Sequence, residues 1–149
     1  MERTIVHERT AVGERSGVER WPIGAGDRRR APVAGGPELE IVIGARLGLP
    51  VGVLEVTVPA GGAMPEHDHG VSEALLVPLE GSLRLVEPGE PGGVTDLEPG
   101  VLATIPAGCR VRLENSGEED SRLLVVLTPA DFVAQLEGWP APGEAALRA

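Results

Sequence analysis

The chain has 149 residues, the size of one domain, and 42% of them are hydrophobic, which excludes wholesale disorder. Its formal net charge is -10 and all 13 basic residues are arginines, which disfavours a nucleic-acid partner because phosphate binding needs a basic surface. The 21 glycines and 14 prolines predict frequent chain reversals, as in a protein built from many short strands.

The cysteine content and the chain's N-terminus favour a cytoplasmic protein. Cys109 is the single cysteine, so an intrachain disulfide and a cysteine-rich zinc site are excluded. The first residues, MERTIVHERTAVGERSG, carry charges every few positions and lack the apolar run of a signal peptide. Nowhere do 18 apolar residues follow one another. We therefore expect a soluble, cytoplasmic protein without a membrane partner.

Residues 1–36 are predicted to form an N-terminal arm. Within it the stretch GAGDRRRAPVAGGP is dense in Gly, Pro and charge, so we predict a loop there. Arg28, Arg29 and Arg30 are interpreted as a solvated part of this loop, and a site for an anion or a partner is the alternative.

Residues 37–128 are predicted to form a β-barrel domain. Apolar runs of five to eight residues alternate there with Gly, Pro, Asp and Glu turns, which is typical of an antiparallel sandwich or barrel. Eight strands are enough for a double-sheet jelly roll, so the predicted fold class is all-β. The predicted strands lie near residues 38–46, 51–58, 73–79, 82–87, 93–97, 101–105, 109–114 and 121–127.

Several of these strands are apolar on both faces. The runs LLVVL at 123–127 and VGVLEVTV at 51–58 do not alternate cleanly between apolar and polar residues. A strand buried on both sides in an antiparallel protein has a second sheet on one side and a subunit or an arm on the other. We therefore predict a homodimer.

Residues 129–149 are predicted to hold one short helix and a tail. In TPADFVAQLEG, Thr128 is the predicted N-cap, Pro129 takes the first helical position and Gly138 stops the helix. The apolar face of this helix consists of Phe132, Val133 and Leu136.

A histidine cluster is the main candidate site. In an extended strand His67 and His69 point to one face while Asp68 points away, and Glu73 returns to that face if the intervening turn inserts no extra residue. Two imidazoles and one carboxylate form a ligand set with open coordination positions, suited to Fe, Mn, Ni, Zn or Cu. A hydrated turn with two titratable histidines is the alternative interpretation.

The residues around this cluster resemble the first motif of the cupin superfamily, G-x5-H-x-H-x3,4-E-x6-G. Gly61 stands six residues before His67 and Gly81 closes the segment, with seven residues instead of six between Glu73 and Gly81. This resemblance implies metal ligation by His67, His69 and Glu73.

The second cupin motif, G-x5-P-x-G-x2-H-x3-N, resembles GVLATIPAGCRVRLEN. Gly100, Pro106, Gly108 and Asn115 match it, but Val111 stands where the motif has its histidine. The resemblance covers roughly residues 38–128 and implies a double-stranded β-helix or jelly-roll barrel, here with an N-terminal arm and one short C-terminal helix.

Val111 leaves three interpretations open. The site can be a three-ligand metal centre in which water or substrate takes the place of the missing imidazole. Cys109, two residues before Val111, or His7 in the arm can supply another donor. The barrel can also have given up metal and bind a small molecule, although a carboxylate in an apolar barrel is then costly without a compensating cation or donor.

Two functions follow from the resemblance. The first is a metal-dependent enzyme of dioxygenase, decarboxylase or isomerase type, with Glu73 as ligand and proton acceptor. The alternative is a non-catalytic cupin that binds a small molecule and has lost metal. Because aromatic residues make up 2% of the chain, a compact, polar or carboxylate-bearing ligand is expected rather than a flat aromatic one.

Overall fold

The structure, a computed structural model, describes residues 17–89 and 91–141. Two antiparallel sheets face each other and enclose the core, which confirms the predicted all-β jelly-roll architecture. Residues 1–16, including His7, lie outside the described residues, so the prediction of an arm there stays a prediction.

Ten strands make up the two sheets. In chain order they are β1 (Asp27–Arg30), β2 (Glu38–Ile43), β3 (Gly52–Val58), β4 (Ala63–His67), β5 (Glu73–Glu80), β6 (Leu83–Val86), β7 (Val94–Leu97), β8 (Ala103–Ile105), β9 (Val111–Glu114) and β10 (Ser121–Thr128). The first sheet has the order β1-β2-β3-β10-β5-β8, and the second has the order β4-β9-β6-β7.

Strand β10 carries apolar side chains on both of its faces. Leu123, Val125 and Leu127 are buried between the sheets, while Leu124 and Val126 are half-buried on the outer face of the first sheet. The same two-residue period runs through the neighbouring strands. The centre of the outer face of this sheet, on β5 and β10, is therefore aliphatic.

The predicted loop around Arg28, Arg29 and Arg30 is wrong, because these residues form the edge strand β1. The carboxylate of Glu40 is 2% exposed and accepts hydrogen bonds of 2.8 Å from the backbone N–H groups of Gly24 and Gly26. Arg30 also forms an ion pair with Glu38, its partner in the register of β1 and β2. These contacts hold a Gly-rich, charged segment in an extended conformation.

The predicted helix is present in a shorter form. A 3-10 turn over Ala130–Phe132 leads into α1 (Val133–Leu136), whose Val133 and Leu136 are buried. Thr128 is the last residue of β10 and does not cap the helix, so the predicted N-cap is wrong. A second 3-10 turn spans Ala45–Leu47.

Within residues 17–89 and 91–141, no helix has the length and apolar character needed to cross a membrane.

Candidate functional site

A cavity of about 380 Å³ lies between the two sheets, and both histidines of the cluster line it. Aliphatic side chains from both sheets form most of its wall. They include Leu39, Leu54, Val56, Leu76, Ile105, Val111, Leu113, Val125 and Leu127.

The two chain-terminal segments close the top of this cavity. From the N-terminal side come Ala31, Pro32, Val33 and Pro37, and from the C-terminal side come Phe132, Gln135, Leu136 and Trp139. The guanidinium of Arg29 donates a 2.7 Å hydrogen bond to the carbonyl of Trp139, and the Arg30 N–H donates to the carbonyl of Pro140 at 2.9 Å. We call these two segments the roof of the cavity.

The structure brings His67 and His69 together in the cavity wall. His67 ends β4, and His69 follows in a turn where its side chain is only 5% exposed. Their Nε2 atoms are 3.2 Å apart, and the two rings meet edge to face with centroids 4.8 Å apart. The prediction that both imidazoles face one side is confirmed.

Hydrogen bonding fixes the tautomers of this pair. His67 Nδ1 lies 2.8 Å from the carbonyl of Pro65, which can only accept, so Nδ1 carries the proton. In neutral His67 the Nε2 atom is then an acceptor, and it receives the Nε2–H of His69. His69 Nδ1 is left buried without a hydrogen-bond partner among the described residues. Such an unpaired nitrogen destabilises the folded state.

Burial lowers the pKa of His69 from its usual 6.5 to about 4. The neighbouring His67 lowers it further by repulsion, while Asp68 acts in the opposite direction. His69 is therefore uncharged at neutral pH and presents a neutral polar group to the cavity.

Phe132 covers the histidine pair from the roof. Its ring lies edge to face on His69 at a centroid distance of 5.0 Å and roughly parallel to His67 at 6.4 Å. From the sequence Phe132 was assigned only to the apolar face of a helix. No local pattern predicts which helix residue meets the site, because the position of the helix is a tertiary property.

Glu73 does not join the histidine pair, so its expected placement in the cavity is wrong. The side chain is exposed at the start of β5 and does not line the cavity. In the β5–β10 register Glu73 pairs with exposed Thr128, while Ala74 pairs with Leu127, which lines the cavity. Ala74 thus points inward and is 2% exposed.

The spacing of the first motif explains this arrangement. Counting back from Gly81 with six intervening residues places the acidic position of the motif at Ala74 and not at Glu73. The departure of seven residues noted in the sequence therefore marks the loss of the inward carboxylate.

The position of the missing histidine is also filled by an apolar residue. Val111 is 1% exposed, lines the cavity and pairs with His67 in the register of β4 and β9. The thiol of Cys109 lies 3.7 Å from the carboxylate of Glu87 and does not line the cavity, so it does not replace this ligand.

The histidine pair provides part of what a bound metal ion needs. Two imidazole nitrogens 3.2 Å apart suit adjacent positions on one ion, since metal–nitrogen distances are about 2.1 Å. In the described part of the chain, however, no three His, Cys, Asp or Glu side chains are placed to hold one ion together. The described residues therefore do not fit a three-ligand metal centre.

Charged side chains at the rim of the cavity neutralise one another. Arg110 donates a 2.7 Å hydrogen bond to Glu66 and contacts Asp68 at 3.4 Å. Asp68 also accepts the N–H of Gly70 at 2.7 Å, as in a tight Asx turn. Asp68 and Glu66 thus serve the turn and its surface.

Comparison with known proteins gives one family and a set of related folds. Residues 54–127 match the family described as "Cupin domain". Among curated proteins, none is similar enough to the chain to count as a match.

Three solved structures illustrate the shared fold. KdgF from Halomonas sp. is 19% identical, with 73% of this chain and 93% of that one covered and a TM-score of 0.59. The polyketide cyclase RemF from Streptomyces resistomycificus is 23% identical, with 75% and 80% covered and a TM-score of 0.61. A predicted oxalate decarboxylase from Thermotoga maritima is 14% identical, with 74% and 98% covered and a TM-score of 0.62.

Proposed function

Because the chain belongs to the cupin superfamily, we propose that its barrel binds a small organic molecule, and that this molecule is uncharged and largely apolar. The observation that carries the proposal is the cavity wall, which is apolar except for His67, His69, Gln135 and the rim acids. A volume of about 380 Å³ lies in the range of sites for small ligands.

Charge is the first property that this wall selects. Among residues 17–89 and 91–141, neither Lys nor Arg lines the cavity. His69 is uncharged at neutral pH, because burial holds its pKa at about 4. A carboxylate buried here gains no cationic partner and loses its hydration, which costs several kcal/mol. The carboxylate-bearing ligand expected from composition is therefore replaced by a neutral one.

Aromatic content is the second property. Phe132 and Trp139 both line the cavity, although aromatic residues make up only 2% of the chain. Both rings belong to the C-terminal part of the roof, where they offer flat apolar contact area. A ligand with a ring system therefore fits the roof as well as an aliphatic one.

The binding step proposed here uses no metal ion. With Ala74 and Val111 at the positions of two expected ligands, the pair His67 and His69 is available to the ligand as polar contacts. The sequence-based alternative, a cupin that has lost metal, is thus the function that the donor set supports best. The metal-dependent roles predicted for His67, His69 and Glu73 are tested by metal analysis below.

A second candidate is an enzyme that transfers a proton at the histidine pair. It is favoured by the 3.2 Å contact between His67 and His69 in the cavity wall and by the buried nitrogen without a partner. Unsatisfied polar groups of this kind are kept in proteins at functional sites. Product formation from the bound molecule, lost in His67→Ala and in His69→Ala, would distinguish an enzyme from a binding protein.

We also propose that the outer face of the first sheet joins two copies of the chain. Val77 pairs with Leu124, and Val126 pairs with both Leu75 and Val53, so half-buried aliphatic side chains form adjacent rows. The nearby Arg122 binds Glu55 and Glu80, which partly offsets the acidic charge beside these rows. A second copy fits, because a flat apolar face on a two-fold axis meets itself.

The ligand proposal is tested with two matched fluorescent probes. N-phenyl-1-naphthylamine is neutral, and 1-anilinonaphthalene-8-sulfonate adds a sulfonate to the same rings. We expect the neutral probe to bind at least about tenfold more tightly, because the sulfonate finds no cation in the cavity. Equal or tighter binding of the sulfonate probe would contradict an uncharged ligand.

Two substitutions place the probe within the barrel. Val125→Phe fills the cavity, whereas Val126→Phe puts the same side chain on the outer face of the same strand. We expect the first to abolish probe binding and the second to leave it unchanged, with thermal unfolding confirming that both variants fold. Equal binding by both would place the probe elsewhere.

A further inference from the structure

We propose that Ser72 is a positioning residue, which holds Phe132 over the histidine pair and thereby sets the shape of the ligand site. The expected effect of Ser72 on ligand affinity rests on the proposed function. Its geometric part, the placement of one ring against another, is independent of any ligand.

Ser72 connects two segments that are far apart in sequence. Its Oγ donates a 2.6 Å hydrogen bond to the carbonyl of Pro129 and accepts the N–H of Phe132 at 3.3 Å. Its own N–H donates to the carbonyl of His69 at 3.0 Å. A single residue thus links the turn that carries His69 to the turn that carries Phe132.

The 3-10 turn that carries Phe132 depends on this outside contact. Pro129 stands at its N-cap and makes no side-chain capping bond, so the hydroxyl of Ser72 supplies what a cap normally does. Ser72 is 0% exposed, so no water replaces the hydroxyl when it is removed. Without it the carbonyl of Pro129 and the N–H of Phe132 lose their partners, and the turn shifts to find others.

A shift of this turn reaches the site through Phe132. The ring contacts His69 at 5.0 Å between centroids, and the Nδ1 atom of His69 is buried without a hydrogen-bond partner among the described residues. Moving the ring opens His69 to water and widens the cavity at its polar end. Ser72 is therefore expected to change ligand affinity and the surroundings of His69, and not stability alone.

The chain contains a matched control in Ser121. This serine is 1% exposed, and its Oγ donates a 3.0 Å bond to the carbonyl of Ser82, away from the cavity. Ser72→Ala and Ser121→Ala each remove a buried hydroxyl bonded to a backbone carbonyl. We expect similar losses of stability from both, but only Ser72→Ala should weaken binding of N-phenyl-1-naphthylamine, by about tenfold.

A spectroscopic measurement follows the ring contact without a ligand. The carbon-bound ring protons of His69 lie near the Phe132 ring, so their NMR shifts report its position. We expect Ser72→Ala and Phe132→Leu to move these signals in the same direction, and Ser121→Ala to leave them in place. Unchanged His69 signals in Ser72→Ala would overturn the proposal.

A double-mutant cycle separates positioning from general support. If Ser72 acts through Phe132, Ser72→Ala has no further effect on probe affinity or on the His69 signals in a Phe132→Leu background. Additive effects in the double variant, or an equal loss of affinity in Ser121→Ala, would show that Ser72 has only a structural role.

The role of Ser72 can still be tested if Ser72→Ala does not fold or if the wild-type protein binds no probe. If Ser72→Ala does not fold, Ser72→Cys keeps a weaker donor and acceptor of similar size, and a smaller shift of the same signals is expected. If the wild-type protein binds neither probe, the proposed function fails, and the ring signals of His69 still decide the role of Ser72.

Discussion

His67 on β4 and Val111 on β9 are partners in the strand register. Val111, which stands where the motif has its histidine, therefore lies directly beside His67. Val111 is 1% exposed and lines the cavity together with His67. On the neighbouring sheet Ala74 also points inward. The barrel thus keeps two imidazoles and has two apolar residues at the remaining ligand positions.

Restoring these two residues should create a metal site. We expect Ala74→Glu/Val111→His to bind Mn²⁺ or Zn²⁺ and to unfold at a higher temperature when the metal is present, because a ligand that binds only the folded state stabilises it. Calorimetric titration and thermal unfolding measure both effects.

Ala74→Gln/Val111→His is the control for this experiment, since it has the same three imidazoles without the carboxylate, and it should bind both metals more weakly. The wild-type protein should show no shift in unfolding temperature with either metal. Absence of metal binding in Ala74→Glu/Val111→His would mean that Ala74 or Val111 does not face the histidine pair.

Metal analysis of the wild-type protein tests the role first predicted for His67, His69 and Glu73. We expect no stoichiometric divalent metal in the purified protein, and the same trace content in His67→Ala/His69→Ala, because the described residues offer only two of the needed donors. Stoichiometric metal that disappears in the double variant would restore the metal-dependent enzyme as the better function. Glu73→Ala should change neither metal content nor probe binding.

Stability should fall on acidification because of His69. Its pKa is lowered from 6.5 to about 4 in the folded protein, so between these values the unfolded chain binds more protons. The free energy of unfolding is unaffected by this group above pH 6.5 and decreases as the pH falls toward about 4, in total by about 1–3 kcal/mol.

His69→Phe provides the comparison, because it does not titrate and removes the unpaired nitrogen. Urea unfolding of both proteins between about pH 7 and about pH 4 measures the difference. The variant should lack the His69 part of the acid loss, which separates it from the effect of protonated carboxylates. Parallel curves for the two proteins would contradict the lowered pKa.

The outer face of the first sheet should control association. Leu124→Glu puts a charge in the middle of the aliphatic rows, and we expect it to convert a dimer into a monomer in sedimentation equilibrium. Val94→Glu, at a side chain that is 50% exposed on β7 of the other sheet, is the control and should leave the dimer intact. A monomeric wild-type protein, or a dimer unaffected by Leu124→Glu, would contradict the proposed interface.

The sequence predicted the barrel well because strand boundaries are marked by turn residues and apolar runs. Strand alternation also predicted that His67 and His69 share a face, and their rings do meet, although β4 ends at His67 and His69 lies in the turn that follows. The predicted position of Glu73 was wrong, because a turn separates Glu73 from the histidines. One extra residue in such a turn exchanges the inward and outward faces of the strand that follows.

Other parts of the site depend on contacts between distant segments, which no local pattern contains. The bond from Ser72 to the turn of Phe132 joins positions 60 residues apart. The sequence around the edge strand β1 predicts a loop, because its Gly and Arg content is unfavourable for a strand. Pairing with β2 and a hydrogen bond to the carboxylate of Glu40 hold it in an extended conformation. Such contacts become visible only once the sheets are assembled.

The roof of the cavity has a consequence for how far relatives inform on this protein. The match to the cupin domain spans residues 54–127, whereas Pro32, Phe132 and Trp139 lie outside it on either side. The matched part of the chain therefore supplies most of the barrel wall, and residues on either side of it supply the cover. Similarity within the matched part carries no information about the residues that close the cavity over a ligand.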